Sequence, residues 1–185
     1  IGANLSKADL RAADLRGANL SGANLIAAKL MEAKFSGANL IAAKLMEADL
    51  GGANLNGANL EGVNLANSQF TRSDLTGANL RAATLNEANF SQAEMAGATL
   101  DEASMLRTNL RGARLTGASL KAANLRNAIL QNADLHDADL SAAQLDNLLN
   151  VTPKDQDIPF PPGAADIFPQ PVTVNGLVVD DDCNT

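Results

Sequence analysis

The chain is poor in the residue types on which most catalytic and metal sites depend. Its 185 residues include no Trp, no Tyr, one His and one Cys. A single cysteine rules out a disulfide within the chain. One histidine without a Ser–His–Asp constellation leaves acid–base and nucleophilic catalysis without visible machinery. The sequence therefore predicts a protein that is not an enzyme and that has no cofactor and no metal site.

Long apolar runs are also absent. No segment approaches the roughly 20 apolar residues that span a bilayer, and no signal peptide is visible. We therefore expect no membrane span and favour the cytoplasm, with the periplasm or thylakoid lumen as alternatives if a leader preceded Ile1. Residues 150–185 carry six Asp and one Lys, whereas residues 1–149 mix both signs. A mixed surface is not a basic track, which predicts no direct binding to nucleic acid.

What the chain has instead is a strict period of five. Every fifth residue from Leu5 to Leu145 is Leu, Phe or Met, in 29 consecutive units, and Ala stands two places earlier in 25 of them. We number the positions of each unit from that Ala, so that Ala3 holds position 1 and Leu5 holds position 3. A period of five suits neither a helix, at 3.6 residues, nor a strand, at 2. It predicts a solenoid whose turns bring every position 3 back to a common axis.

The outward charges indicate how many units close one turn. Opposite charges attract on neighbouring rungs of a stack. Charged residues 20 apart form ten pairs of opposite sign and one pair of like sign in residues 1–149. The ladders are Asp9–Lys29–Asp49, Asp14–Lys34, Glu61–Arg81–Asp101–Lys121, Glu87–Arg107, Glu94–Arg114–Asp134 and Arg126–Asp146. This favours four pentapeptides per coil and about seven coils, although an offset of 25 is a weaker rival.

Two further expectations concern packing and corners. In a square coil the column of residues 10, 30, 50 and onward stacks Phe70 on Phe90. Position 5 holds 11 of the 14 glycines but also takes Lys7 and Asp137. We expect an exposed corner there that tolerates glycine without requiring a positive φ.

The last part of the chain differs in composition. Residues 141–150 (SAAQLDNLLN) are predicted to form a short C-terminal helix that caps the last coil, ending before Pro153. All six prolines lie between Pro153 and Pro171. Residues 172–179 have Asn-Gly between β-branched runs, which favours a hairpin. The sequence thus divides into a repeat solenoid with its helical cap, 1–149, and a Pro-rich acidic tail, 150–185.

The repeat resembles the pentapeptide-repeat family, whose units read Ala, then Asp or Asn, then Leu, then two variable residues. Ala8-Asp9-Leu10, Ala18-Asn19-Leu20 and Ala58-Asn59-Leu60 carry the resemblance, which covers residues 1–149. It implies an all-β, right-handed quadrilateral β-helix, similar to the many cyanobacterial members, with no shared catalytic residues. Some members mimic duplex DNA and bind DNA gyrase. Those are Phe-rich at the inward position and strongly acidic along the rod, unlike this chain.

The functional prediction is a non-enzymatic structural or protein-interaction solenoid with an unknown protein partner; the alternative is a DNA mimic that binds DNA gyrase or another nucleic-acid-binding protein. Apolar residues at outward positions are the candidate partner-binding residues, since an exposed apolar stripe marks interfaces: Ile26, Met31, Ile41, Met46 and Leu106. A monomer and a dimer joined through the tail both fit the residues. The polar cluster around His136 is interpreted as a solvated corner.

Overall fold

The described part of the chain winds as a stack of square coils. The computed structural model describes residues 2–148 and the residue pairs 173–174 and 177–178. In residues 2–148 the strand contacts are single parallel bridges between residues 20 apart, from Asn4↔Asn24 to Asn124↔Gln144. Four pentapeptides therefore make one coil, as the charge ladders predict. One column of these bridges climbs through seven steps, from Asn4 to Gln144.

Four of the five backbone N–H groups in a typical unit bond to backbone carbonyls. The position 2 N–H donates to the coil below, as Asn24 does to the Ala3 carbonyl at 2.8 Å. The N–H groups of positions 3 and 5 donate to the coil above. The position 1 N–H closes the turn, as Ala8 does on the Leu5 carbonyl at 3.0 Å. Because most of these bonds join coils, stacking rather than local propensity holds the backbone.

Each corner is a β-turn with a left-handed residue at position 5. All 30 such residues from Gly2 to Asn147 have φ between 54° and 67°, and 19 of them are not glycine. A positive φ at the third turn residue alone, with the turn hydrogen bond, is the signature of type II. The expectation that this corner would not require a positive φ was wrong. In most units the position 5 N–H makes a ladder bond to the next coil, which holds the backbone there for glycine and non-glycine residues alike.

The core is one continuous column inside the tube. Position 3 side chains from Leu25 to Leu145 are at most 4% exposed, and Phe70 stacks on Phe90 with ring centroids 4.6 Å apart, as predicted. Position 1 is filled by small residues because the narrow tube has no room for a second large one. The first coil is less covered, since Leu5, Leu10, Leu15 and Leu20 are only partly buried.

The predicted C-terminal helix is wrong over residues 141–148. These residues form a turn at 141–142, a bridge at Gln144 and a second turn at 146–147. The Gln144 N–H donates to the Ala123 carbonyl at 2.8 Å, and Leu145 is 1% exposed. Ala143 and Leu145 keep the repeat register, so another coil gains bonds and burial that a helix would forfeit. Residues 149–150 lie outside the described residues.

The tail contributes two short described strands. Strand β1 (Thr173–Val174) pairs antiparallel with strand β2 (Leu177–Val178), with Thr173 opposite Val178 and Val174 opposite Leu177. This pairing lies within residues 172–179, where a hairpin is predicted. The Pro-rich segment falls in residues 149–172, outside the described part.

Candidate interaction surface

The rod has four faces, which we name by their buried columns. Face A contains the position 3 column that begins at Leu5, face B the column from Leu10, face C that from Leu15 and face D that from Leu20. Position 2 stands outward at the centre of each face, and positions 4 and 5 form the corner that follows. Each surface residue therefore belongs to a column whose members are 20 residues apart.

Position 2 has a structural role that the sequence analysis did not detect. In each of the 17 units with Asn or Asp there, the side-chain Oδ1 accepts the backbone N–H of position 4, at 2.9–3.4 Å. The position 4 N–H is the one that makes no backbone–backbone bond in a typical unit. The short side chain accepts it as in an Asx-turn. The recurrence of Asn and Asp two residues before the turn is the signal that could have revealed it.

Charged residues concentrate at the centres of faces B and C. The central column of face C is Asp14, Lys34, Asn54, Asp74, Glu94, Arg114 and Asp134, and face B begins Asp9, Lys29 and Asp49. The central column of face A carries one charge, Lys44, among amides and hydroxyls: Asn4, Asn24, Asn64, Thr84, Ser104, Asn124 and Gln144. The rod is therefore electrostatically two-sided, which composition alone does not reveal.

The predicted charge ladders form only in part. Ion pairs at an offset of 20 join Arg114 to Glu94 at 3.3 Å, Arg107 to Glu87 at 3.4 Å and Arg126 to Asp146 at 2.8 Å. Other cations pair with acids at sequence offsets other than 20. Arg11 binds Asp9 at 2.6 Å, Arg16 binds Asp14 at 2.6 Å, Arg81 binds Glu102 at 2.8 Å and Lys121 binds Asp139 at 3.2 Å. All these side chains are exposed, so each pair adds little stability.

Three carboxylates have pKa values lowered to about 2. The side-chain hydrogen bonds from Arg11 lower the pKa of Asp9 to about 2, and Arg16 does the same for Asp14. The Ser141 hydroxyl, with the Ser141 N–H, lowers the pKa of Asp139 to about 2. The shifts come from donors to the ionised form rather than from burial, which is typical of a turn-capping carboxylate and not of an acid–base site.

The carboxylates around His136 also accept hydrogen bonds from turn N–H groups and neighbouring side chains. Asp134 accepts the His136 N–H at 3.1 Å and the Thr116 hydroxyl at 3.0 Å, while His136 lies 3.4 Å from Asp137. Asp139 is occupied by Ser141 and Lys121. Within the described residues no group of three His, Cys, Asp or Glu lies close enough together to hold a metal ion.

The candidate binding residues occupy three corners. Ile26, Met46 and Leu106 share the position 4 column of the A/B corner, between faces A and B. Ile41 lies on the corner between faces D and A, and Met31 on the corner between B and C. Met31 and Ile41 are each 37% exposed, and the other three are half-buried. Four of the five therefore border face A, whose centre, like that of face D, carries one charged residue.

In the part of the chain with described structure, no helix is long and apolar enough to cross a membrane.

Comparison with known proteins gives one family. The family model described as pentapeptide repeats (8 copies) matches residues 3–41, 43–81, 78–117 and 118–148. Rfr23, from the cyanobacterium Cyanothece 51142, is 34% identical, with a TM-score of 0.48; the match covers 53% of this chain and 64% of Rfr23. HetL, from Nostoc sp. strain PCC 7120, is 38% identical, with a TM-score of 0.35; the match covers 78% of this chain and 71% of HetL.

A more distant structure has the same fold. QnrB1, a plasmid-mediated fluoroquinolone resistance protein, is 22% identical with a TM-score of 0.52, over 72% of this chain and 77% of QnrB1. No curated protein matches the chain. The architecture that the pentapeptide-repeat family and QnrB1 share with the described coils is the right-handed β-helix.

Proposed function

The chain belongs to the pentapeptide-repeat family, and from the geometry of its faces we propose that it is a non-enzymatic protein-interaction module that binds through face A. The observation that carries the proposal is the combination of a central column with one charge and an A/B corner that groups three apolar residues. Ile26, Met46 and Leu106 line one edge, Ile41 lies on the other, and Lys44 is the one charged residue of the central column.

Desolvation distinguishes face A from faces B and C. A partner covering face C would strip water from Asp74, Glu94 and Arg114, and buried charges repay that cost only with exact pairing. Amides and hydroxyls can exchange water for partner hydrogen bonds at lower cost. Interface cores are accordingly depleted of charged residues and enriched in residues such as Met. Face D also has one central charge, Asp139, but of these two faces only face A borders the apolar residues of the A/B corner.

The test is affinity capture with the full chain as bait. Ile26, Met46 and Leu106 changed together to Ser should abolish capture of specific partners, because the apolar edge of face A is lost. Met31→Ser, on the B/C corner, removes an apolar residue that is more exposed than these three, and it should leave capture intact. Undiminished capture by the triple variant would remove face A as the binding surface.

A second candidate, suggested by the resemblance to DNA-mimicking family members and by the net charge of −7, is a DNA mimic that binds DNA gyrase. Mimicry needs a continuous negative stripe, whereas cations interrupt the acids of face C at Lys34 and Arg114. A gyrase supercoiling assay separates the two proposals. If the protein neither inhibits nor protects gyrase at about micromolar concentration, the mimicry proposal is rejected.

A further inference from the structure

We propose that Met46 is a site of reversible oxidation by peroxide and that its sulfoxide weakens binding through face A. This rests on the proposed function and adds a chemical control to the same surface. The juxtaposition that points to it is a thioether stacked among the apolar residues of the A/B corner, in a chain whose core methionines are shielded.

The four methionines of the chain divide into two classes. Met95 and Met105 hold position 3 inside the tube, and both are 0% exposed. Met31 and Met46 hold position 4 at corners, where Met31 is 37% exposed and Met46 is half-buried. Oxidation of a core methionine would disrupt packing, whereas oxidation at a corner leaves the coil intact. A dilute peroxide should therefore modify the surface of the rod before it damages the fold.

Met31 and Met46 have the same neighbours along the chain. Residues 28–32 and 43–47 both read Ala-Lys-Leu-Met-Glu. Because the two units are three pentapeptides apart and a coil has four, they lie at different corners. Any difference between the two sulfurs in reactivity or in effect must therefore come from the neighbouring coils.

Stacking gives Met46 apolar neighbours on both adjoining coils. Ile26 lies on the coil below and Ala66 on the coil above, in the same position 4 column of the A/B corner. The thioether is therefore the middle of three consecutive apolar residues on the edge of face A. Methionine suits such an edge because its unbranched, polarizable side chain adapts to the surface of a partner.

Oxidation changes this edge by one oxygen atom. The sulfur lone pair attacks one peroxide oxygen, the O–O bond breaks, and the other oxygen leaves as water after protonation. The thioether is oxidised to a sulfoxide and the peroxide is reduced. The sulfoxide oxygen accepts hydrogen bonds, and neither Ile26 nor Ala66 has a side-chain donor for it. A partner that buries this oxygen without a donor should therefore bind about tenfold more weakly, or worse.

Met31 provides a matched control within the chain. It lies on the B/C corner, which does not border face A, and its Cγ is 3.9 Å from the position that a Cβ on Gly51 would take. Because Gly51 has no side chain, the next coil does not extend an apolar column from Met31. Oxidised Met31 should leave binding through face A unchanged, although Met31 is the more exposed of the two.

Peptide mass spectrometry of the full chain tests the modification site. A Cys183→Ser background removes the one thiol, which peroxide would also oxidise. In dilute hydrogen peroxide, Met31 and Met46 should each gain one oxygen while Met95 and Met105 stay reduced and the circular dichroism spectrum stays unchanged. Methionine sulfoxide reductases for both epimers should then remove the added oxygen. A Met46 that stays reduced when Met31 is fully oxidised, or a chain that unfolds as Met46 is oxidised, overturns the site.

Affinity capture tests the consequence for binding. The bait Met31→Leu keeps Met46 as its one corner methionine, and the bait Met46→Leu keeps only Met31. Each bait, at sub-saturating concentration, is compared with its own unoxidised sample. The proteins scored are those that the native bait captures and that the bait with Ile26, Met46 and Leu106 changed to Ser does not.

Peroxide should lower capture by the Met31→Leu bait about tenfold or more, and the sulfoxide reductases should restore it. Capture by the Met46→Leu bait should not respond to peroxide. Unchanged capture by the oxidised Met31→Leu bait, or equal losses in the two baits, would overturn the control of binding by Met46.

These outcomes separate the oxidation site from the proposed function. If the triple Ser bait captures the same proteins as the native chain, face A is not the binding surface and control by Met46 is overturned with it. If the triple Ser bait loses those proteins but the oxidised Met31→Leu bait keeps them, face A stands and only the control by oxidation is rejected.

Discussion

At the scale of the residue, the fifth position of each unit is where this fold stores strain. An L-residue in the left-handed region costs about 1–2 kcal/mol relative to the right-handed one. Nineteen of the 30 fifth-position residues bear that cost. In most units the N–H of this residue bonds to the next coil and helps to offset the cost, as Ala82 does on the Asp101 carbonyl at 2.8 Å. Glycine adopts the same φ without a Cβ clash.

Ala82→Gly should therefore stabilise the protein, by about 0.5–1 kcal/mol once the greater freedom of glycine in the unfolded chain is subtracted. Ala82 has a φ of 54°. Its neighbour Ala83, buried at position 1, is the control, and Ala83→Gly should destabilise. Equilibrium unfolding in guanidinium chloride measures both changes. A loss of stability in Ala82→Gly would contradict the role assigned to the positive φ.

The capping carboxylates make stability depend on acid pH. The pKa values of Asp9, Asp14 and Asp139 are lowered to about 2 from an ordinary value of 3.8. Their stabilisation is present above pH 3.8 and is lost as the pH falls through the folded-state values near 2, because the unfolded chain binds the protons first. Unfolding free energy should therefore decrease between about pH 4 and pH 2.

Changing these three residues together to Asn tests that dependence. Asn keeps the Oδ1 acceptor for the turn, as it does at Asn19 and Asn59, but it does not ionise. The variant should lose less stability than the native chain between pH 4 and pH 2, measured by chemical unfolding at each pH. Equal losses would show that other carboxylates govern the transition.

At the scale of the element, one pentapeptide is a turn and a bridge that cannot stand alone. Each unit buries one large side chain, worth about 1.5–3 kcal/mol, against a backbone entropy cost of about 1–2 kcal/mol per ordered residue. Some units have Ser or Thr instead of Ala at position 1, and their buried hydroxyls are hydrogen-bonded. Ser73 and Thr108 donate to the Phe70 and Leu85 carbonyls at 2.8 and 2.9 Å. Contacts between units on successive coils must supply the remainder.

The stacked pair Phe70–Phe90 is the most specific of these contacts. A double-mutant cycle with Phe70→Leu and Phe90→Leu should give a coupling energy of about 0.5–1.5 kcal/mol, because the rings are parallel within 8°. Phe35 is buried on face C, away from this pair, so Phe35→Leu paired with Phe90→Leu should give none. Coupling of the same size in both cycles would point to general loosening of the core instead.

At the scale of the whole molecule, the rod is quasi-one-dimensional. Each coil touches only its neighbours, so stability is close to a sum of coil and interface terms, and the ends open before the middle. The partial burial of Leu5, Leu10, Leu15 and Leu20 marks the first coil as the weaker end of the described solenoid.

The same substitution should therefore cost different amounts along one column. Leu55 is fully buried on face C, and Leu55→Ala should lower the unfolding free energy by about 2–5 kcal/mol. Leu15 lies on the same face in the first coil and is partly buried, so Leu15→Ala should cost markedly less. Guanidinium chloride unfolding of both variants measures the difference, and equal costs would contradict an end that is less tightly held.

Much of this architecture was predictable because the period of five admits few solutions. Leu25, Phe70 and Phe90 could be placed inside from spacing alone, and the 20-residue charge offset led to the square coil that the bridges confirm. The partners of Arg81 and Lys121 could not be predicted in this way. A long side chain at a corner can reach several acids on the same or the next coil, and the sequence offset does not show which of them it pairs with. The helix predicted at 141–150 was wrong over 141–148 because Leu145, Leu148 and Leu149 fit a helical spacing, while Ala143 and Leu145 also fit the repeat.

The sequence by itself determined the winding, because burying one large residue in every five allows only a coil that returns each of them to a single axis. The tertiary structure decided what the surface presents, since residues 20 apart become neighbours only once the coil has closed. Ile26, Met46 and Leu106 are scattered along the chain and form one edge in the rod. Their position beside a face with a single central charge follows from stacking, which no local pattern contains.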